Sequence, residues 1–255
     1  MGLFEERIRE LLAYVDAVSA HKVVRVVRSV ETPAWPPGKK GNVVLRADTA
    51  VELGNPQDES VAFHVWTADL RLVRDGCVTL VGPDIGESVG QHLPFGKAVL
   101  LGVEDVCQEN CIERYRELGL KRYDLNLAGY MVRAPSQIGR EWSRVSRQAA
   151  DDGFSLATLG SALIRLYRAV PYVKSAEVLV VTSSPTDVRE LSMIAERASR
   201  QIAALNKMTT ELGRECETCD FNDVCSQVED LRAGSWAELR KEDSPGRVCR
   251  RPEAG

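Results

Sequence analysis

Three of the seven cysteines of this 255-residue chain stand within ten residues of one another, in Glu215-Cys216-Glu217-Thr218-Cys219-Asp220-Phe221-Asn222-Asp223-Val224-Cys225. Thiols packed this densely pair as disulfides or hold a soft metal as thiolates. A C-x2-C turn offers two thiolates from one loop, where backbone N–H groups also stabilise the sulfur charge. Cys225 adds a third ligand. A closed tetrahedral site or a [4Fe–4S] cluster takes four, and Cys249 is the nearest further candidate in sequence. Cys107 and Cys111, four apart, could reach the cluster only through the fold; buried core thiols are the blander reading for them. An odd cysteine count does not favour a pure disulfide framework. The cluster therefore reads as a metal site, iron–sulfur in preference, with zinc as the alternative that the spacing leaves open.

A second constellation surrounds Trp142. Arg140, Arg144 and Arg147, with Arg133 upstream, set positive charge beside an indole face. Such a patch suits a phosphorylated, ring-bearing ligand such as CoA or a nucleotide, through bidentate arginine contacts and stacking. The bland counterpart is a solvated helix face balanced by Glu141 and Asp151. Elsewhere the signals are weak. His21, His64 and His92 sit in no nucleophile or zinc-protease motif, and His64 in an alternating strand reads as a surface residue. Gly82, Gly86 and Gly90 do not match G-x-G-x-x-G, and Gly96-Lys97 is followed by Ala98, so no Walker A motif is present.

The elements that must position these groups read as an α/β body. Phe4, Ile8, Leu11, Leu12, Val15 and Val18 predict an amphipathic helix over 3–20. The stretch from Pro33 to Gly41 is rich in breakers, and Trp35 within it pins a loop to the body. Strands are expected at 43–45, 49–53, 61–73, 77–81, 97–103, 124–132 and 177–182. The continuous apolar run at 77–81, ending in Gly82-Pro83-Asp84, suits a parallel strand buried on both faces. Helices are expected from Cys107 to about Leu118, from Leu156 to Val170, and from Ser184-Pro185-Thr186-Asp187 to about Leu212. That last start has a capping serine, a proline at the first helical position and an acidic residue at the positive end of the dipole. A short helix at Trp236–Lys241 and a polar tail follow. The expected fold is a mainly parallel or mixed sheet flanked by helices, with an N-terminal helix and a small Cys-rich metal segment. Three stretches result: 1–41, helix and linker; 42–212, the α/β domain; 213–255, the metal segment and tail.

With 44% hydrophobic and 27% charged residues the chain has an ordinary globular composition, and its net charge of -4 argues against a general nucleic-acid binder. No apolar run is long enough to span a bilayer. The acidic N-terminus, Met1 to Arg7, does not resemble a signal peptide. A cytoplasmic protein, with homo-oligomerisation left open, is the expectation.

Taken in order, Val51-Glu52-Leu53-Gly54, Val78-Thr79-Leu80-Val81-Gly82-Pro83-Asp84, Trp142-Ser143-Arg144-Val145-Ser146, then a strand and a long helix leading to C-x2-C, resemble the β subunit of the carbon monoxide dehydrogenase/acetyl-CoA synthase complex over roughly 50–235. The resemblance implies a middle α/β domain ahead of a metal centre of one [4Fe–4S] cluster bridged to two nickels. It also implies an activity that joins a methyl group from a corrinoid protein, carbon monoxide and CoA. Cys216 and Cys219 then match the family's C-x2-C ligands and Cys225 the next, while Trp142 and Arg144 match a Trp-x-Arg in the domain that meets CoA. The family's spacing to its third cysteine is longer, its fourth falls near Ser235, and its Cys-Gly-Cys nickel motif is missing here. The expectation is thus a shortened acetyl-CoA synthase-like metal protein with a corrinoid or CO dehydrogenase type partner, without full synthase activity alone. The rivals are a zinc-stabilised regulatory module and a CoA- or nucleotide-binding enzyme using the arginine patch.

Overall fold

A computed structural model of the chain describes residues 2–39, 42–55, 59–88, 92–107, 109–133 and 139–210, with Arg133 and residues 208–210 described by backbone alone. The Cys216–Cys225 cluster, Cys249 and the helix expected at Trp236–Lys241 lie outside the described residues. The fold is α/β, with two mixed sheets flanked by helices and a helix at its N-terminus.

The helix expected first is α1, Glu5–Ser19, which buries Ile8, Leu11, Tyr14 and Val18 at the predicted spacing. Next comes a strand the periodicity did not announce, β1, Val24–Arg28. Its arginines interrupt the apolar residues, as suits an edge strand with Val26 open to solvent. It joins a five-stranded sheet in the order β1-β4-β9-β6-β3, where β3 is Ser60–Thr67, β4 Cys77–Val81, β6 Phe95–Val103 and β9 Val173–Val181. β4 runs parallel to β9 and β3 parallel to β6, while β9 and β6 are antiparallel. The continuous apolar reading of β4 holds, since all five of its residues are buried.

Two helices cover opposite faces of this sheet. On α4, Leu156–Arg168, a Cβ at Gly160 would come within 2.6 Å of Val78. On α5, Pro185–Thr210, Leu191 lies 2.8 Å from where a Cβ at Gly96 would sit. Val78 shares a row with Val178 and Val99, three residues from Gly96 along β6, so the two contacts fall on different faces. The start of α5 is as expected: the Ser184 Oγ accepts from the Asp187 N–H at 3.2 Å. The β4 strand leaves the sheet through Gly82 at φ +104°, where a Cβ would stand 2.4 Å from the Ser183 nitrogen, so only glycine fits this crossing of two loops.

A second, four-stranded sheet has the order β5-β2-β8-β7, with β2 Thr49–Leu53, β5 His92–Leu93, β7 Tyr130–Arg133 and β8 Trp142–Ser146. Trp35 ties the proline-rich stretch down as read: its Nε1 donates to the Ala128 carbonyl at 2.9 Å and its ring meets Phe154 edge-on at 5.1 Å. Four boundaries differ from expectation. Residues 43–45 form no strand. The strand at 61–73 stops at Thr67, where Asp69 accepts from the Arg71 N–H and turns the chain into one 3-10 turn. The strand at 124–132 shrinks to β7, because a second 3-10 turn occupies Arg122–Asp124. Finally, α2 begins at Cys111 and runs to Lys121, leaving Cys107 in the loop before it.

Candidate functional site

Alternation along the second sheet divides its residues into two sets. In the inner set, Val51, Leu53, Tyr130, Ser143 and Val145 are buried. The outer set forms a row across four strands, in which Glu52 pairs with His92 on β5 and with Arg144 on β8, and Arg144 pairs with Met131 on β7. The Arg144 Nε donates to Glu52 Oε1 at 2.9 Å and Nη1 to the Val44 carbonyl at 3.4 Å. Its guanidinium lies 5.2 Å from the Trp142 ring centroid, since residues two apart on a strand share a face. The second Glu52 oxygen is 3.4 Å from His92 Nδ1, which also meets the Asn55 amide nitrogen at 2.7 Å.

Trp142 and Arg144 are thus brought together, as their spacing suggested, although on a strand and not on a helix. Arg144 and Glu52 are nearly buried at 7% and 6% exposure, so the arginine's charge is balanced at close range. Its planar fork is oriented against the indole. Arg147 is exposed, its Nε donating to the Thr49 carbonyl at 3.4 Å, and Arg140 is half-buried before β8. Glu141 does not balance an arginine face: its side chain turns into the core.

That inward carboxylate anchors a network the sequence reading missed. Lys97 Nζ donates to Glu141 Oε1 at 2.5 Å, with both side chains at most 3% exposed. The Ser143 hydroxyl lies 3.4 Å from the same oxygen, and the Tyr130 hydroxyl 3.5 Å from it and 3.0 Å from Ser143 Oγ. Burial pushes the Lys97 ammonium pKa down, against the pull of Glu141, and pushes the Tyr130 hydroxyl well up. One signal was available: a lysine inside the apolar run of β6 needs a partner. Its address, 44 residues away, was not legible.

His64 is not the surface residue it resembled. Every residue of β3 is buried, because α1, α2 and α5 all pack against this strand. The His64 ring stacks on Tyr115 at 4.4 Å, beside Trp66 and Phe4. Burial, with Arg122 near, lowers its pKa to about 3, so it stays neutral and serves as a core ring.

The cysteines of the body fall in two places. Cys77 is a free, buried thiol at the start of β4. Cys107 and Cys111 bracket the tight loop ahead of α2, where Asn110 Oδ1 accepts from the Cys107 N–H at 2.9 Å and Asn110 Nδ2 donates to the Asp105 carbonyl at 2.9 Å. Asp105, at φ 57°, is the one non-glycine residue with positive φ among the described residues. Cys111 is fully buried, and that burial raises its thiol pKa. The sulfur of Cys107 is disulfide-bonded. Among the described residues no group of three or more His, Cys, Asp or Glu could hold a metal ion, and no helix is long and apolar enough to cross a membrane.

Comparison with known proteins puts this arrangement in context. The profile described as CO dehydrogenase/acetyl-CoA synthase complex beta subunit matches residues 34–186, from the Trp35 anchor to the start of α5. An acetyl-CoA decarbonylase/synthase complex subunit beta of Methanothermobacter thermautotrophicus is 29% identical over 177 residues, covering 69% of this chain and 37% of the relative. The same subunit of Methanopyrus kandleri is 29% identical over 150 residues, covering 57% of this chain and 31% of the relative. The chain thus spans about a third of the length of these curated relatives. With well over half of its residues inside the matching profile, the chain belongs to the CO dehydrogenase/acetyl-CoA synthase complex beta subunit family.

Proposed function

We propose that the chain is an acetyl-CoA synthase-like, iron–sulfur-binding component of one-carbon and corrinoid metabolism, working with a protein partner of the CO dehydrogenase or corrinoid type. The observation that carries this reading is one of order. The match to the family profile runs to residue 186, and Cys216-x2-Cys219-x5-Cys225 follows in sequence after α5. The two curated relatives are by name subunits of a complex, which favours a partner. A [4Fe–4S] cluster would sit on thiolates from Cys216, Cys219 and Cys225 and supply electron-rich metal chemistry when bound. The donor set suits a soft metal, since thiolates are ligands that magnesium and calcium do not favour. These 255 residues contain no Cys-Gly-Cys, so the full synthase reaction is not assigned to them alone.

Protein purified without oxygen should contain iron and acid-labile sulfide and absorb as a thiolate–iron cluster. Colourless protein with stoichiometric zinc would remove the iron reading and leave a zinc-stabilised module. A second reading, CoA bound at the outer face of the smaller sheet, is favoured by the Arg144–Trp142 stack, a form that adenine rings and phosphates both recognise. Replacing Trp142 and Arg144 together by alanine should abolish CoA binding in calorimetry; unchanged affinity removes that reading.

A further inference from the structure

We infer that β1 is a contact between two copies of this chain: the strand pairs antiparallel with itself across a two-fold axis at Val26 and joins two five-stranded sheets into one. The inference is independent of the metal and CoA readings, and β1 lies ahead of the stretch shared with the family. Three observations carry it. First, the outer edge of β1 is open. Beside β4, the Gly82 N–H donates to the Val23 carbonyl at 3.1 Å and the Ser29 N–H to the Gly76 carbonyl at 2.7 Å. An antiparallel ladder alternates, so Val23, Arg25, Val27 and Ser29 turn their backbone groups to β4. Val24, Val26 and Arg28 turn theirs outward. Of these outward groups only the Arg28 carbonyl is engaged among the described residues, by the Glu31 N–H at 3.0 Å and the Thr32 hydroxyl at 3.4 Å, where the strand ends in a turn.

Second, the strand is complementary to itself. About Val26, antiparallel pairing sets Val26 against Val26, each Arg25 against a Val27 and each Arg28 against a Val24 of the other copy. The outward N–H and C=O of the two Val26 residues then bond reciprocally, and each Arg28 N–H donates to a Val24 carbonyl. A register centred on Arg25 would oppose two arginines, and one centred on Val27 would set Val24 against the turn after Arg28. Third, the charges that would guard such an edge are held by their own copy. The Arg25 guanidinium pairs with Glu87 and donates to the Gly82 carbonyl at 3.1 Å, Arg28 Nη1 donates to the Asp75 carbonyl at 3.3 Å, and Lys22 Nζ lies 3.7 Å from Asp187 Oδ2. Edge strands that stay single are blunted by outward lysines, prolines or bulges. β1 has neither a proline nor a bulge in its register and exposes valine instead, at 52% for Val26, with Val23 and Val30 open beside it.

The test uses the full chain, purified under reducing conditions, as wild type, Val26→Lys, Val26→Pro and Val26→Cys. Mass is followed by light scattering on a sizing column over a wide range of concentration, with far-UV circular dichroism as the check on folding. The expected wild-type mass is twice the 28.2 kDa of one chain. Val26→Lys sets two ammonium groups face to face and Val26→Pro removes only an outward N–H, so both should be folded monomers. A monomeric wild type overturns the inference, and so does one that gains mass only when another protein is added, which gives the edge to a different partner. A dimer that survives in both folded variants has its contact elsewhere and overturns it too. Should those variants not fold, Val26→Cys decides: backbone-paired positions about 5.5 Å apart suit a disulfide, so mild oxidation should give a covalent dimer joined at position 26, shown by peptide mapping. Oxidation without that cross-link sinks the assignment. Iron and sulfide contents enter none of these outcomes, so a failure here leaves the cluster reading untouched.

Discussion

Two ion pairs among the described residues, Lys97–Glu141 and Glu52–Arg144, are set to different uses by their surroundings. Lys97–Glu141 lies between the two sheets, at most 3% exposed, with Tyr130 and Ser143 gathered on one carboxylate oxygen. Glu52–Arg144 lies on the outer face of the smaller sheet, with a half-exposed His92 at one end and the Trp142 ring at the other. The first pair is closed to any ligand and can act only as a clamp. The second is pre-oriented at a surface. A charged pair inside a protein is weak evidence of net stabilisation, yet removing one partner leaves a costly orphan charge. The comparison teaches that the same residue chemistry reads as scaffold or as site according to what lies on its far side.

The sharpest way to break this contrast is to remove one charge from the inner pair. Glu141→Gln should destabilise the protein by about 3–5 kcal/mol, the cost of leaving a buried ammonium unpaired. Lys97→Met combined with Glu141→Leu should recover most of that loss in urea unfolding. A small effect of the single variant would mean that the inner pair is no clamp. On the outer face, Arg144→Met should cost less, roughly 1.5–3 kcal/mol for hydrogen bonds to a charged group, because Glu52 can turn toward solvent and His92. Equal losses at both pairs would erase the distinction between them.

A third test concerns the ring buried in the larger sheet. The folded pKa of His64, about 3, lies below that of an unfolded histidine. Between roughly pH 6.5 and 3 the unfolded chain therefore binds more protons, and stability falls as pH drops through that window. The slope should reach about 1.4 kcal/mol per pH unit, and His64→Phe, which keeps the stack on Tyr115, should lack it. An unchanged acid limb in that variant would place the linkage elsewhere. The smallest effect is expected at the outer rim. His92→Gln should shift stability by no more than about 1 kcal/mol, as for a partly exposed pair, measured by thermal melting.

Much of the fold was legible because local signals agreed with one another. The Ser184-Pro185 start of α5, the spacing of α1 and the apolar run of β4 each follow from rules acting within a few residues. The misreadings share a cause. His64 looked like a surface residue because its strand alternates, but a strand with helices packed against it buries both of its faces. Glu141 looked like a solvent-facing partner of arginines because its neighbours are charged, and the strand pleat turned it inward to a lysine 44 residues away. The bland reading of the arginine patch as a solvated helix face does not hold at Trp142 and Arg144, which a strand places side by side.

By itself the sequence determined the kinds of groups present: three closely spaced cysteines after residue 213, an indole beside guanidinium groups, and an α/β body whose ordered motifs mark its family. Tertiary structure alone decided which of those groups meet. It balanced Arg144 with Glu52, sealed Lys97 against Glu141, and brought Arg116 of α2 to Asn206 of α5. The physical reason is range. Helix caps, turns and periodicity act over a few residues, whereas burial and charge pairing depend on which distant strand the closing sheets bring alongside.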